Sequence, residues 1–227
     1  MQCLNKKFTP TLYCNTHGVP SRACLLTIRN LGIDVDLKYI DVFKGQQNTP
    51  DFVKINPLHQ IPVLHIAEDN HILTESRAIM MYLATFMKSS LYPTNDLNKR
   101  ALVDSKLFFD ATTAHPAVKS FINQIIRVGV KKMPSEIREN LKTLLNTLEY
   151  FLSNSEWIAG NELTIADFAI LASVESIKCW GATFNEYPRL NHWYERCRPL
   201  PGFTENHEGA RKLAEKMAKL LDEPLWK

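Results

Sequence analysis

The sequence lacks the features that mark several large classes of protein. It has no run approaching the ~20 apolar residues that a membrane-spanning helix needs. Its first ten residues, MQCLNKKFTP, contain no apolar stretch long enough for a secretory signal. No internal repeat or low-complexity segment occurs. We therefore expect a cytoplasmic globular protein with a short N-terminal tail and no membrane partner.

The sequence also lacks a strong excess of charge of one sign. Its 27 Lys and Arg residues face 24 Asp and Glu residues, which gives a formal net charge of +3. Basic residues cluster only in pairs such as Lys131 and Lys132. A surface that follows a phosphate backbone needs a basic patch or stripe. No nucleic-acid partner is therefore expected.

Cysteine is scarce and irregularly spaced. There is no CxxC pair, and no set of Cys and His residues has the sequence spacing of a zinc site. An odd number of scattered thiols favours free cysteines in a reducing compartment, and we expect no metal. The five cysteines are Cys3, Cys14, Cys24, Cys179 and Cys197.

The first part of the chain alternates short apolar runs with helical patterns. TLYC and VDLKYIDV predict strands, and Pro20 to Leu31 predicts a helix with proline in its opening turn. IPVLHI and HILT, separated by AEDN, predict a hairpin, and ESRAIMMYLATFM predicts a helix after it. The predicted order of elements is β-α-β-α-β-β-α.

The second part of the chain shows only helical periodicity. An apolar stripe at helical spacing follows Pro134 and Ser135, and it consists of Ile137, Leu141, Leu144, Leu145, Leu148 and Leu152. NELTIADFAILASVESI predicts a helix that is buried on both faces, in which Thr164 and Asp167 have the spacing of a capping box. RLNHWYERC and ENHEGARKLAEKMAKLL predict two more helices.

These patterns divide the chain into two predicted domains. An α/β domain covers residues 1–88, and an all-helical domain covers residues 97–227. The polar segment KSSLYPTNDLNKR contains a proline, and we place a linker within it at residues 89–96.

Two local motifs in the first domain are suited to binding a ligand. Ile61 and Pro62 open a predicted strand, where a cis peptide bond would turn the Ile61 backbone toward a ligand and a trans bond would make only a tight turn. Glu75 and Ser76 stand at a helix start, where free N–H groups can hold a carboxylate. The alternative there is simple capping of the helix.

The order of elements, the strand-opening proline, the TESRAI helix start and the LTIADFAI buried helix together resemble the cytosolic glutathione transferases. The segments FKGQQ, INPLHQIPVL, LTESRAIMMYLA and AGNELTIADFAI are most similar to the insect delta and epsilon classes, which are close to theta. The resemblance covers nearly the whole chain. It implies a thioredoxin-like domain followed by an all-α domain, usually in a homodimer.

The resemblance also implies a glutathione site in the first domain. Ile61 would pair its backbone with the cysteinyl part of glutathione, as an added strand pairs with a sheet edge. Glu75 and Ser76 would hold the γ-glutamyl end, and His59 would face the glycyl end. Gln47 stands where many members have a second histidine. The full implied set is Gln47, His59, Gln60, Ile61, Pro62, Glu75, Ser76 and Arg77.

The sequence departs from the family at the residue that activates the thiol. The family pattern Ser-x-Pro-x-Arg aligns with GVPSR and puts Gly18 where a serine hydroxyl would donate to the glutathione sulfur. A free thiol has a pKa near ~8.5, so another donor must replace this hydroxyl if catalysis is fast.

Several groups near Gly18 could act as that donor. The backbone N–H groups of Gly18 and Val19 stand at a helix start, where the helix dipole also favours an anion. Ser21 and Tyr13 are the side-chain candidates, and Thr16 and His17 are also close in sequence. Tyr13 has a structural alternative as a core residue, and the family's usual role for Arg22 is structural.

The resemblance implies that an acceptor substrate lies against the helix after the linker and against the C-terminal segment. The candidates there are Phe108, Phe109, Thr112, Thr113, Pro116, Phe121, Phe203 and Asn206. An aromatic cleft with few polar groups suits hydrophobic ligands, although each aromatic ring could instead belong to the core.

Three functions remain open from the sequence. The first is conjugation of glutathione to hydrophobic electrophiles, as in xenobiotic detoxification. The second is a weakly catalytic glutathione-dependent ligand-binding protein, which the loss of the serine favours. The third is a specialised member that handles steroids or peroxides. Glutathione is the expected co-substrate in each.

Overall fold

The computed structural model describes residues 9–67 and 70–226. The predicted N-terminal tail with Cys3, and the centre of the predicted hairpin turn at residues 68–69, lie outside the described residues.

The first part of the chain forms a mixed four-stranded sheet in the order β2-β1-β3-β4. β1 and β2 are parallel, as the crossover through a helix requires, whereas β3 runs antiparallel to both β1 and β4. The register places Leu12 opposite both Leu37 and Leu64. The strands are β1 (Thr11–Cys14), β2 (Asp36–Tyr39), β3 (Val63–Ile66) and β4 (His71–Leu73).

Three helices accompany the sheet, and they are α1 (Val19–Leu31), α2 (Pro50–Ile55) and α3 (Ser76–Phe86). α1 has Pro20 in its first turn and ends at Gly32, whose φ of 61° closes the helix in the left-handed region. α1 packs against α3. The predicted order β-α-β-α-β-β-α is confirmed, with two short 3₁₀ turns between β2 and α2.

The second part of the chain is helical. Its helices are α4 (Leu97–Phe109), α5 (His115–Asn123), α6 (Ser135–Phe151), α7 (Ile165–Cys179), α8 (Pro188–Cys197) and α9 (Phe203–Ala218). Turns of π-helix at Asp110–Ala114 and Gln124–Val128 follow α4 and α5. No helix in the described part of the chain is long and apolar enough to cross a membrane.

α7 is the centre of the fold, because it packs against α1, α4 and α9. Every residue from Ile165 to Ile177 is buried, as the apolar sequence predicts. The predicted capping box of Thr164 and Asp167 is present at its start. The thioredoxin-like α/β unit followed by a helical unit is therefore confirmed, while the residue limits of the two domains stay a prediction.

β2 is shorter than the sequence predicts, since it covers Asp36–Tyr39 rather than the whole of VDLKYIDV. It is an edge strand, and the side chain of Tyr39 is exposed. Of the alternating residues, Val35 and Leu37 pack against the core, whereas Tyr39 does not.

Candidate functional site

A cleft of about 200 Å³ lies where the start of α1, the loop before β3 and the start of α3 face the start of α5. Six of the residues expected to bind glutathione line it together: Gln60, Ile61, Pro62, Glu75, Ser76 and Arg77. The other lining residues are Pro20, Asn56, Leu58, Thr74, Ala111, His115 and Lys119.

The loop before β3 is held by Asn56, a buried residue that the sequence reasoning missed. Its Nδ2 donates to the Gln60 carbonyl oxygen at 2.8 Å, and its Oδ1 accepts from the Leu58 N–H at 3.1 Å. The following Ile61–Pro62 peptide bond is cis. Among the residues that the structure describes, neither the N–H nor the C=O of Ile61 has a backbone partner. Both groups are thus available to an extended ligand at this end of the sheet.

The start of α3 offers an anion-binding corner. Glu75 precedes the helix with a φ of 66°, a strained conformation for a residue with a side chain, and its carboxylate makes no capping hydrogen bond. The Glu75 side chain therefore does not cap α3. Ser76 Oγ accepts from Arg77 Nη1 at 2.8 Å, which leaves the Ser76 hydroxyl proton free to donate to a ligand.

Arg77 ties this corner to the helical part of the chain. Its Nη2 donates to Oδ2 of Asp110, a fully buried residue just after α4, and Ser173 Oγ donates to Asp110 Oδ1 at 3.3 Å. Burial raises the pKa of Asp110, and the Arg77 guanidinium opposes that rise. Arg77 is therefore held by a buried carboxylate beside the cleft.

His115 and Lys119 reach the cleft from α5, and the sequence reasoning missed both. Burial, followed by the nearby charges of Arg77 and Lys119, lowers the pKa of His115 to about 3. This imidazole is thus neutral at physiological pH. The i, i+4 spacing of the pair predicts a shared helix face, but nothing in the sequence says which part of the first domain that face meets.

Gly18 stands at the N-cap of α1 with a φ of −79°, an extended conformation that any residue adopts. A Cβ at this position would make ordinary contacts, 3.7 Å from the Asn15 carbonyl oxygen and 3.9 Å from Ser21 Oγ. The backbone N–H of Gly18 already donates to Asn15 O at 3.2 Å. Of the two backbone donors expected here, only the N–H of Val19 has no backbone acceptor within the described part of the chain.

The side chains near Gly18 face other partners. Ser21 is fully buried, and its Oγ accepts from the Asn15 N–H at 3.2 Å. The Tyr13 ring is half-buried and contacts Phe52 edge to face. Neither residue lines the cleft.

His17 is fixed within the same turn. Its Nδ1 lies 2.9 Å from Asn15 Oδ1, and its ring meets Phe43 edge to face. Burial, followed by the charges of Lys216 and Lys212, lowers the pKa of His17. Its ring is therefore uncharged at neutral pH and can take part in one more hydrogen bond.

Gln47 and His59 lie outside the cleft. Gln47 Nε2 donates to the Val42 carbonyl oxygen at 3.4 Å, and Gln47 Oε1 is buried with no hydrogen-bond partner among the described residues. His59 is exposed, and its Nδ1 lies 3.1 Å from Asn48 Oδ1. Neither side chain therefore lines the cleft.

None of the eight expected acceptor residues lines the cleft. Phe121 is fully buried and stacks on Trp180, and Asn206 is buried with its Oδ1 2.6 Å from Arg22 Nη1. These two are core residues, because their side chains are already enclosed by protein. Phe109 and Phe203 are half-buried, whereas Phe108, Thr112, Thr113 and Pro116 are exposed.

The fold agrees with comparisons to known proteins. The family model described as "Glutathione S-transferase, N-terminal domain" matches residues 9–85, and that described as "Glutathione S-transferase, C-terminal domain" matches residues 113–205. The chain belongs to the glutathione S-transferase family, which is a family of transferase enzymes.

Individual relatives place it near insect members. It is 35% identical over 214 residues to Glutathione S-transferase D7 of Anopheles gambiae, covering 91% of this chain and 95% of that protein. Among solved structures, Glutathione S-transferase unclassified 2 from Bombyx mori has a TM-score of 0.89 and 33% identity, covering 95% of this chain and 100% of that one. A glutathione transferase homologue from Drosophila mojavensis, solved with bound glutathione, has a TM-score of 0.89 and 30% identity, covering 94% of this chain and 98% of that one.

Proposed function

We propose that this chain binds reduced glutathione in the cleft and transfers it to hydrophobic electrophiles. The observation that carries the proposal is that Ile61 and Pro62 line the same cleft as Glu75, Ser76 and Arg77. The backbone of Ile61 pairs with the cysteinyl unit as an added strand. The γ-glutamyl carboxylate lies at the start of α3, where helix N–H groups and the Ser76 hydroxyl donate to it.

The charges around the cleft suit a ligand with two carboxylates. Arg77 and Lys119 supply positive charge, while His115 is neutral and supplies only hydrogen bonds. Glu75 supplies a negative charge that can pair with the α-amino group of the γ-glutamyl end. A tripeptide with one ammonium group beside a carboxylate matches this corner.

Catalysis in this proposal is positioning and electrostatic stabilisation of the thiolate, without a covalent enzyme intermediate. The sulfur lies near the start of α1, with Val19 N–H as the backbone donor and the helix dipole acting in the same direction. A hydroxyl at position 18 is missing, so the thiol pKa is lowered less than in a serine-containing member. Conjugation near neutral pH is therefore slow and rises with pH.

Titration calorimetry tests the binding part of this proposal. Reduced glutathione should bind the wild type at millimolar concentration or below, and Ser76→Ala should bind roughly tenfold more weakly or worse. The matched control is Ser105→Ala, an exposed position on α4, which should bind as the wild type does. A folded protein that takes up no glutathione would remove the proposal.

A weakly catalytic ligand-binding protein is the second candidate. The specific observation in its favour is that Gly18 has no hydroxyl and that its backbone N–H already donates to the Asn15 carbonyl oxygen. The two candidates differ in rate, because a ligand-binding protein holds glutathione and a hydrophobic compound without joining them. Conjugation that is no faster than the uncatalysed reaction at pH 8, with glutathione bound, would favour the second.

The acceptor and the assembly belong to the same proposal. The acceptor lies beside the π-turn after α4, near the exposed Phe108, Thr112 and Thr113, and is hydrophobic. The chain forms a homodimer in the cytoplasm. Exposed apolar side chains on α4, such as Leu97 and Leu102, support the dimer because they could be buried between two copies. Sedimentation at micromolar concentration tests the dimer, and a monomer there would contradict it.

A further inference from the structure

Three potential metal ligands meet between α7 and α9, away from the cleft. Glu175 and Cys179 lie one helical turn apart on α7, and His207 faces them from α9. Cys179 Sγ is 3.5 Å from Glu175 Oε1 and 3.8 Å from His207 Nδ1, and the two latter atoms are 2.9 Å apart. We propose that these three side chains form a binding site for a zinc ion, with water as the fourth ligand.

The three separations match a tetrahedral zinc ion. Zn–S, Zn–N and Zn–O bonds of about 2.3, 2.05 and 2.1 Å at tetrahedral angles put the ligand atoms about 3.3–3.6 Å from one another. The two distances from Cys179 Sγ, 3.5 and 3.8 Å, are within about 0.3 Å of these values, whereas the 2.9 Å between His207 Nδ1 and Glu175 Oε1 is about half an ångström shorter. Small side-chain rotations would therefore admit the metal. A mixed sulfur, nitrogen and oxygen set favours zinc over magnesium or calcium, which prefer oxygen ligands.

The environment of Glu175 supports a cation at this place. Its carboxylate is fully buried, and within residues 9–67 and 70–226 its one salt-bridge partner is His207. A buried carboxylate needs a positive partner. The charge of the buried Arg22 also acts on Glu175, but Arg22 Nη1 and Nη2 donate to Asn206 and Ser176, and no salt bridge among the described residues joins Arg22 to this carboxylate.

A neighbouring residue orients the carboxylate as an outer-shell partner does at zinc sites. Tyr194 OH donates to Glu175 Oε2 at 3.0 Å, which leaves Oε1 turned toward Cys179 and His207. The side chain of His207 is 43% exposed, so a metal ion and its water can reach the site from solvent.

The Cys179 sulfur coordinates zinc as a thiolate, so its proton is released to solvent when the metal binds. The sequence alone does not reveal this site, because its three ligands come from two helices. α9 begins at Phe203, 24 residues after Cys179 at the end of α7, and no local motif spans that separation.

Cobalt absorption tests the site directly. Metal-free full-length protein titrated with Co²⁺ should develop one equivalent of a sulfur-to-cobalt charge-transfer band, and Zn²⁺ should displace it. Cys179→Ser should abolish the band. His207→Ala should weaken Co²⁺ binding roughly tenfold or more, as should Tyr194→Phe through the outer shell.

The control is His192→Ala on the exposed side of α8, which should bind Co²⁺ as the wild type does. Zn²⁺, but not Mg²⁺, should also raise the melting temperature of the wild type and leave that of Cys179→Ser unchanged. The proposal is overturned if the wild type shows no band, if the band survives in Cys179→Ser, or if His207→Ala binds with unchanged affinity. Cys179 and His207 are only partly buried, so we expect Cys179→Ser and His207→Ala to fold. They test the site even if Glu175→Gln does not fold.

Discussion

Gly209 of α9 lies so close to Thr16 that a Cβ at position 209 would be 2.1 Å from the Thr16 carbonyl oxygen. The same Cβ would be 3.0 Å from the Cδ atom of Arg22. Thr16 belongs to the turn that carries Gly18. The last helix therefore packs directly against the turn that is proposed to face the glutathione sulfur, and only glycine permits this approach.

Gly209→Ala should move α9 or the turn, because the added methyl group overlaps backbone atoms. Overpacking of this kind costs about 1–3 kcal/mol of unfolding free energy. We expect a lower denaturation midpoint together with weaker binding of glutathione, measured by urea unfolding and calorimetry. The control is Thr204→Ala, an exposed position on the same helix. Unchanged stability and unchanged glutathione binding in Gly209→Ala would show that the close approach of Gly209 to Thr16 affects neither property.

Asp167→Ala should destabilise the protein strongly. Asp167 is fully buried and accepts four hydrogen bonds at 2.9–3.1 Å, from the N–H groups of Ile158 and Thr164, the Thr164 hydroxyl and the Trp193 indole. Leaving several buried donors unsatisfied costs at least about 3 kcal/mol. Chemical unfolding measures the loss.

The control for Asp167 is Asp51→Ala, because the Asp51 side chain is 95% exposed and forms a surface ion pair with Lys54. That change should cost less than ~1 kcal/mol. Stability unaffected by Asp167→Ala, with activity selectively lost, would assign Asp167 to the chemistry instead of to the fold.

His115→Gln should make the protein less sensitive to acid. The folded-state pKa of His115 is lowered from 6.5 to about 3, so the unfolded chain binds a proton between these values and the folded chain does not. Stability therefore falls as pH drops below about 6.5, by at most ~1.4 kcal/mol per pH unit from this group. Glutamine removes that contribution.

The measurement for His115 is the unfolding free energy of wild type and variant at pH 7.5 and at pH 5.5. The wild type should lose more stability than His115→Gln between these two values, while His192→Gln should behave as the wild type. Parallel loss in wild type and His115→Gln would mean that His115 is protonated freely in the folded protein.

The fold was largely predictable because its signals are local. The periodicity of α6, the capping pair Thr164 and Asp167, and the turn chemistry around Pro20 each specify their own element. The proline before β3 and the start of α3 also identified half of the cleft, since both are short motifs.

The remaining features of the site depend on contacts between distant segments. His115 and Lys119 meet the cleft only because α5 packs across from α3, and Asn56 acts through a loop whose shape the sequence does not specify. The burial of Phe121 and Asn206 was not predictable for the same reason, because a stripe of aromatic and polar residues does not reveal which helix face meets a cleft. The Glu175, Cys179 and His207 cluster likewise needs the packing of α7 on α9.

The central claim is that Gly18 leaves the glutathione thiol only weakly activated. Because the φ of Gly18 is −79° and a Cβ there has room, both Gly18→Ser and Gly18→Ala should fold normally. Serine adds a hydroxyl, and alanine is the matched control that adds only the carbon. A hydrogen bond to a charged acceptor contributes about 1.5–3 kcal/mol, which corresponds to a tenfold to hundredfold faster conjugation near neutral pH if chemistry limits the rate.

The most direct measurement is the pKa of the bound glutathione thiol, obtained from the ultraviolet absorbance of the thiolate as pH is varied. We predict a wild-type value only modestly below the ~8.5 of a free thiol, the same value in Gly18→Ala, and a value about one to two pH units lower in Gly18→Ser. A wild-type thiol that already ionises well below pH 7, unchanged by Gly18→Ser, would contradict the account and assign thiol activation to another group.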